Sequence, residues 1–381
     1  MNYIKRVIET TLNRYLKAFP AIGLTGPRQS GKSTLLRHVL PDYEYITFDD
    51  PFNIDLFEND PHGFLKRYNS HVIFDEVQHV PSIFNYIKIA IDQDRSSYGR
   101  FVLTGSSQFA TFKKISESLS GRIGLLSLLP LQYSELPSKT EEVIYKGSYP
   151  ELVKRNYYES ELWYASYIDT YLNKDVRSLT NIGDMHDFQR FIRLLAANTT
   201  QVLDMSNYAR DLGISVPTIK RWISILEASY IIFLLPPYSN NLNSRLIKRP
   251  KVYFYDTGLV AYFTGIKNYE LYDHGPMAGS LFENYIIADI YKQHLHIITN
   301  KTISYIRTSD KYEIDLVIQD IEKNVLIEIK KTSTLTTKMT STIKKFMQPY
   351  DEGILIYNGV KQSIYPNIKA IPYTDYLNEP L

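Results

Sequence analysis

Gly26, Gly31, Lys32 and Ser33 stand in the spacing GxxxxGKS within AIGLTGPRQSGKST, residues 21–34. Those residue types suit a phosphate cradle. Glycines let backbone N–H groups wrap phosphate oxygens, Lys32 reaches the β and γ phosphates, and the Ser33 hydroxyl ligates Mg²⁺ at a helix N-terminus. Pro27, Arg28, Gln29, Ser30 and Thr34 make up the rest of the loop expected to bind ATP. At residues 71–76, HVIFDE is an apolar strand ending in two carboxylates. Asp75 would hold Mg²⁺ through water, and Glu76 would orient and polarise the water that attacks the γ phosphate. A third strand, FVLTGSS at 101–107, ends in hydroxyl residues. Ser106 there either senses the γ phosphate or belongs to an ordinary β-turn.

A second constellation lies near the other end. EIDLVI (313–318) and VLIEIK (325–330) read as strands joined by QDIEKN. If they pair as a hairpin about the bond between residues 321 and 322, paired positions sum to 643. Asp315 then lies opposite Glu328, and Glu313 opposite Lys330, with all four side chains on one face. An upstream helix, AGSLFENYIIADIYKQ, offers Glu283. Carboxylates at 283, 315 and 328 would bind Mg²⁺ and lower the pKa of a bound water, while Lys330 positions the hydroxide, as phosphodiester cleavage requires. The competing reading is a solvated strand face of cross-strand pairs worth ~0.2–1 kcal/mol each.

Between these sites, residues 155–235 turn helical. Phe188, Phe191, Ile192 and Leu195 recur at three- and four-residue intervals, as in amphipathic bundle helices. MSNYARDLGISVPTIKRWISILEASY (205–230) has helix-turn-helix grammar: Gly213 ends one helix, Ser215 caps the next, and Ile219, Trp222, Ile223, Leu226 and Tyr230 form a buried stripe. In a DNA-reading version Thr218, Lys220, Arg221 and Ser224 face the major groove. Two cations are few for phosphate contacts, so a winged helix packed on neighbouring domains has equal standing. Arg245, Lys248, Arg249 and Lys251 precede a strand and could form a basic wing.

The elements that must position these groups define the fold class. Alternating strands and helices with ligand groups at strand ends imply an α/β domain with a parallel sheet covered on both faces. The expected organisation is a P-loop ATPase domain over 1–150, a helical and winged-helix domain over 151–272, and a restriction-endonuclease-like α/β domain over 273–381. Basic and acidic residues balance, 43 against 41, so a nucleic-acid surface must be a local patch. The chain has no cysteine, which excludes disulfides and a thiol nucleophile and fits a reducing cytoplasm. Its first residues make a poor signal peptide, and its longest apolar stretch, Tyr230 to Leu235, is far short of the ~20 residues that span a bilayer. An intracellular protein with no membrane partner is expected.

The strings GPRQSGKST, DEVQHVP (75–81), LTGSS (103–107), SLSGRIGLLSLLPLQYSEL (118–136) and GSYPE (147–151) resemble AAA-type ATPases with a C-terminal DUF4143 region, and KVYFYDTGL matches a further signature of that family. The resemblance implies that Arg122, in the SGR element, contacts the γ phosphate in cis or from a neighbouring subunit, and that the chain forms a homo-oligomer. Asp315, Glu328 and Lys330, with Glu283 as the helix acid, resemble the PD-(D/E)xK nuclease motif. The expected function is therefore ATP hydrolysis coupled through a DNA-binding winged helix to a Mg²⁺-dependent nuclease-like domain. The alternative is a nucleotide-controlled regulator or assembly switch whose C-terminal domain binds DNA or a protein without cleavage.

Overall fold

Short apolar runs separated by helices build the first layer of the molecule, seen in a computed structural model that describes residues 3–105, 119–172, 185–238 and 248–379. Strands β1 (Ala21–Thr25), β2 (Glu44–Thr47), β3 (Val72–Asp75), β4 (Phe101–Thr104) and β5 (Ile123–Ser127) form one sheet in the order β2-β3-β4-β1-β5. All its pairings are parallel. Side chains alternate across it. Ile22, Leu24, Ile73 and Val102 face a cluster with Ile8, Leu12, Leu35 and Leu36. Val72, Phe74, Phe101 and Leu103 face the opposite one, with Phe48, Phe64, Ile87 and Ile91. Burial on both faces gives the continuous apolar runs expected of parallel strands.

The central helices follow their sequence periodicity. Phe188, Phe191, Ile192 and Leu195 of Met185–Ala197 are buried, as are Ile219, Trp222, Ile223 and Leu226 of Val216–Ala228. Gly213 closes Met205–Leu212 in the left-handed region (φ +71°), where glycine pays no Cβ penalty. Ser215 Oγ accepts from Thr218 N at 3.3 Å and caps the next helix. After it, β6 (Ile232–Leu235) pairs antiparallel with β7 (Lys251–Phe254).

The last layer is a mixed sheet of β8 (Thr302–Arg307), β9 (Glu313–Gln319), β10 (Asn324–Lys330), β11 (Glu352–Tyr357), β12 (Gln362–Tyr365) and β13 (Ile368–Pro372), ordered β12-β13-β11-β10-β9-β8. The β9–β10 register runs from Asn324↔Gln319 to Ile327↔Leu316, so each pair sums to 643 as the hairpin reading requires. Helix Ala278–Ile297 packs on this sheet through Leu281, Phe282, Ile286 and Ile290. The expected boundaries at 150 and 272 both fall inside one buried cluster that runs from Leu129 to Leu377. Among the described residues no helix is long and apolar enough to cross a membrane.

Candidate functional site

Residue 26 can only be glycine for two reasons, its own backbone conformation and the close approach of a remote segment. Its φ is +143°, and a Cβ there would lie 2.0 Å from the carbonyl oxygen of Leu128. Gly31 (φ +95°) and Gln29 (φ +61°) turn the loop back onto helix Lys32–Val39. Arg28, Gln29 and Thr34 are exposed, whereas Pro27, Ser30 and Lys32 are buried. Lys32 Nζ donates to the carbonyls of Gly26 and Pro27, each at 3.0 Å, so its ammonium is drawn over the cradle. Burial pulls its pKa down to about 8 against the opposing fields of Glu76 and Asp75. Ser30 Oγ is buried with no partner. An orphaned hydroxyl and a cation resting on its own loop's carbonyls are what a phosphate chain would satisfy, so these residues fit ATP.

Asp75, at the end of β3, comes to the loop across β4. Ser33 Oγ donates to Asp75 Oδ2 at 3.3 Å, and the Tyr45 and Thr104 hydroxyls donate to the same carboxylate. A hydroxyl beside a carboxylate at a helix N-terminus fits the oxygen ligation that Mg²⁺ prefers. Glu76 follows with φ +55°, a left-handed conformation that costs a non-glycine residue about 1–3 kcal/mol and clusters at functional sites. The Gln78 amide donates to it and holds the carboxylate in place. Sequence reasoning did not single out Tyr45, Thr104 or Gln78. The only signal for Thr104 was its place at a strand end.

Two expected γ-phosphate contacts fare differently. Ser106 lies outside the described residues. Arg122 immediately precedes β5, whose first residue pairs with Ala21 at the start of β1. Because the strands are parallel, the loop leaves from their far end, about four 3.3 Å steps away. Arg122 is instead ion-paired through both guanidinium branches to Asp92, with Nε 2.9 Å from Oδ1 and Nη2 3.0 Å from Oδ2. Within its own chain Arg122 thus lies at the end of the sheet away from the loop.

Near the C-terminal sheet, Glu283 of the long helix and Glu313 of β9 meet around a cation. Lys251, the first residue of β7, is 1% exposed; its Nζ lies 3.2 Å from Glu283 Oε1 and is ion-paired with Glu313. Tyr253 OH donates to the same Glu283 oxygen at 2.7 Å. Asp315 Oδ2 accepts from Ile329 N at 2.8 Å, and Lys330 Nζ lies 2.6 Å from Glu328 Oε1. Burial, then the Asp315 charge, push the Glu328 carboxyl up; burial also raises Glu283, against the pull of Lys251. Among the described residues no three His, Asp or Glu side chains are arranged to hold a metal ion. The expected Mg²⁺ set of Glu283, Asp315 and Glu328 thus does not fit a divalent ion as folded. Lys251 is likewise corrected from a candidate wing residue to a buried one. Nothing in its local sequence marked it.

With this geometry in place, comparison with known proteins is decisive for the first and last parts. Residues 18–137 match the family described as AAA domain, and residues 278–376 match a domain of unknown function, DUF4143. The chain carries an AAA domain followed by a DUF4143 region. Residues 137–270 match another domain of unknown function, DUF8612. An uncharacterized protein of Mycobacterium tuberculosis is 28% identical over 87% of this chain and 74% of its own length. One from Methanocaldococcus jannaschii is 24% identical over 92% and 81%. A Walker-type ATPase of Pyrococcus abyssi is 15% identical, with a TM-score of 0.48 over 68% of this chain and 96% of that one.

The AAA domain and the DUF4143 region are bolted together through residues 129–135. Leu129 N donates to His296 Nε2 at 3.3 Å, Lys292 Nζ donates to Leu131 O at 3.2 Å, and Tyr133 N donates to Asp289 Oδ2 at 2.6 Å. His296, Lys292 and Asp289 all lie on the helix that carries Glu283. On the other side, Arg6 donates to Ser30 O at 2.9 Å, to Leu129 O at 2.6 Å and to Glu135 Oε2 at 2.9 Å. Between the two domains, Lys220 and Arg221 are exposed on helix Val216–Ala228, while Arg249 is ion-paired with Asp204.

Proposed function

We propose that the protein hydrolyses ATP in its AAA domain and passes the nucleotide state to the DUF4143 region. The observation that carries this reading is the meeting of Ser33 with Asp75, groups from elements separated by β4. In the proposed mechanism the loop amides and Lys32 bind the β and γ phosphates, and Ser33 and Asp75 would hold Mg²⁺. When bound, Mg²⁺ neutralises charge on the phosphates. Glu76, fixed by Gln78, orients and polarises the attacking water. A cleft of about 890 Å³ adjoins the loop, lined by Tyr3, Ile4, Gln29, Gly31, Val153 and Arg155 among others. It has the apolar walls and cationic rim to take the base and ribose. Arg122, paired with Asp92 in this chain, has a part in hydrolysis only if a neighbouring subunit presents it.

Glu76→Gln tests the reading. The amide retains shape and ATP binding but cannot draw a proton from water, so kcat should fall about 10²–10³-fold. Phosphate release checks the rate, and a fluorescent ATP analogue checks the binding. A rate unchanged from the wild type would reject the assignment.

Coupling is supported by the continuous line of hydrogen bonds from Ser30 through Arg6 and residues 129–135 to the helix of Glu283. In this reading the three-part organisation at 1–150, 151–272 and 273–381 serves as motor, adaptor and output. The helix-turn-helix and its β6–β7 pair act as a winged helix, and Lys220 and Arg221 meet DNA phosphates. Changing both to Glu should weaken duplex binding and flatten the plot of log affinity against log salt by about two units of slope, near 0.9 per lost phosphate contact. An unchanged slope in a fluorescence-anisotropy titration would remove DNA from this face. Of the two outputs, binding without cleavage is favoured over nuclease action by Lys251, whose ammonium already pairs with Glu283, one of the expected metal ligands.

A further inference from the structure

The helical region between the two domains encloses a cavity that ATP hydrolysis leaves unused. It holds about 370 Å³ and is walled by helices Glu142–Lys146, Ser160–Tyr167, Met185–Ala197 and Thr257–Thr264. None of its lining residues belongs to the cleft beside the phosphate loop. Tyr145, Tyr164, Tyr262 and Phe263 give it aromatic walls, and Lys146, Arg193 and Lys267 line it together with one acid, Glu161. Two of the three cations are paired, Lys146 with Glu142 at 2.9 Å and Lys267 with Glu161 at 3.0 Å. Arg193 is exposed and, among the described residues, has no ion-pair partner. The Tyr164 hydroxyl on the floor is already committed to Asp256 Oδ1, at 2.6 Å. It fits there because residues 147 and 258 are glycines, where a Cβ would come within 2.0 Å of it. Aromatic walls take a flat apolar body, and a guanidinium without a partner takes a carboxylate or phosphate in its planar fork.

We propose that this cavity binds a small organic anion, one flat ring carrying a carboxylate or phosphate, with the ring against the aromatic walls and the acid group on Arg193. The volume sets the size. It lies at the small end of ligand cavities, roughly 300–1,000 Å³, which suits a single-ring acid and is tight for a nucleoside triphosphate. Lys267 is the second cation for the acid group, because an exposed pair such as Lys267–Glu161 is weak and easily exchanged. The floor also continues into the hydrogen bonds that join the domains. Beneath Tyr164, Asp256 Oδ2 accepts from Ser148 N at 2.6 Å, and Lys292 Nζ donates to Ser148 Oγ at 3.0 Å and to Leu131 O at 3.2 Å. A ligand resting on Tyr164 is therefore three side chains away from the segment that links the AAA domain to the DUF4143 region.

The test is fluorine NMR on the nucleotide-free full-length chain, titrated into para-fluorobenzoate, para-fluorophenyl phosphate and the neutral para-fluorobenzyl alcohol. ATP turnover does not enter this readout, so its outcome is separate from that of the ATPase assignment. At least one of the two acids should broaden and shift on binding, and the one that does so more strongly tells carboxylate from phosphate; the alcohol should not respond. Arg193→Ala should weaken that binding about tenfold or more, and Lys267→Ala less. Both side chains are exposed, so neither change endangers the fold. Lys32→Ala, which disables the phosphate loop, should leave the binding as it was. The proposal is overturned if neither acid binds, if Arg193→Ala binds as tightly as the parent, or if Lys32→Ala is the change that removes the signal.

Discussion

Lys32→Ala should reduce ATP turnover to background, a loss of about 10²–10³-fold or more, as when one preorganised charge stabiliser is removed from a buried site. The reason lies in where the ammonium sits. Lys32 is 6% exposed, with Nζ over the loop and 3.0 Å from two of its carbonyls, so water cannot replace it in place. Lys32→Arg should fail nearly as badly, because a planar fork does not reproduce a point charge on a short radius. The group also predicts a pH signature. With its pKa drawn down to about 8, free Lys32 loses its proton as pH rises through that value. Triphosphate favours the charged form and raises the pKa again, so binding above pH 8 must take up a proton and weaken with pH. Calorimetry at pH 8.5 in two buffers of different ionisation heat measures that uptake. Its absence would show that Lys32 does not meet the phosphates.

Arg6→Ala should produce the largest loss of stability, about 3–5 kcal/mol, as for a buried ion pair with one partner deleted. The side chains of Arg6 and Glu135 are 4% and 1% exposed. Glu135 also accepts from the backbone N–H of Val7 at 2.7 Å and of Gln132 at 3.0 Å. Removing the guanidinium leaves that carboxylate buried and uncompensated, and frees the carbonyls of Ser30 and Leu129. Thermal unfolding should show a fall of many degrees. Arg6→Ala with Glu135→Ala should recover part of it, because the second change removes the stranded charge. Surviving Arg6→Ala protein should also bind ATP more weakly, since Ser30 O no longer anchors the loop. A melting temperature within two degrees of the wild type would contradict the buried-pair account.

Local chemistry was readable from the chain wherever a few neighbouring residues decide it. The glycine spacing of the loop, the carboxylates at the end of β3, the cap at Ser215 and the 643 register of the β9–β10 hairpin are consequences of backbone conformation and side-chain period. They need no knowledge of distant residues. Arg122 shows where such reading stops. Its position in a motif beside β5 was visible, but which end of the sheet it occupies depends on strand direction, and parallel pairing with β1 puts it on the side away from the loop.

Charge pairing was the least legible feature. Arg6 and Glu135 are 129 positions apart, and Lys251 lies 32 from Glu283, so no window of sequence holds either pair. The sequence by itself determined the phosphate loop, its carboxylates, the helix-turn-helix and the composition of the acidic hairpin. Tertiary structure alone decided that Arg6 clamps the loop, that Arg122 faces Asp92, and that Lys251 is buried against Glu283 and Glu313. The physical reason is range: hydrogen bonds of turns and caps close within a few residues, whereas a buried charge must be neutralised by whatever partner the packing of remote segments brings to it.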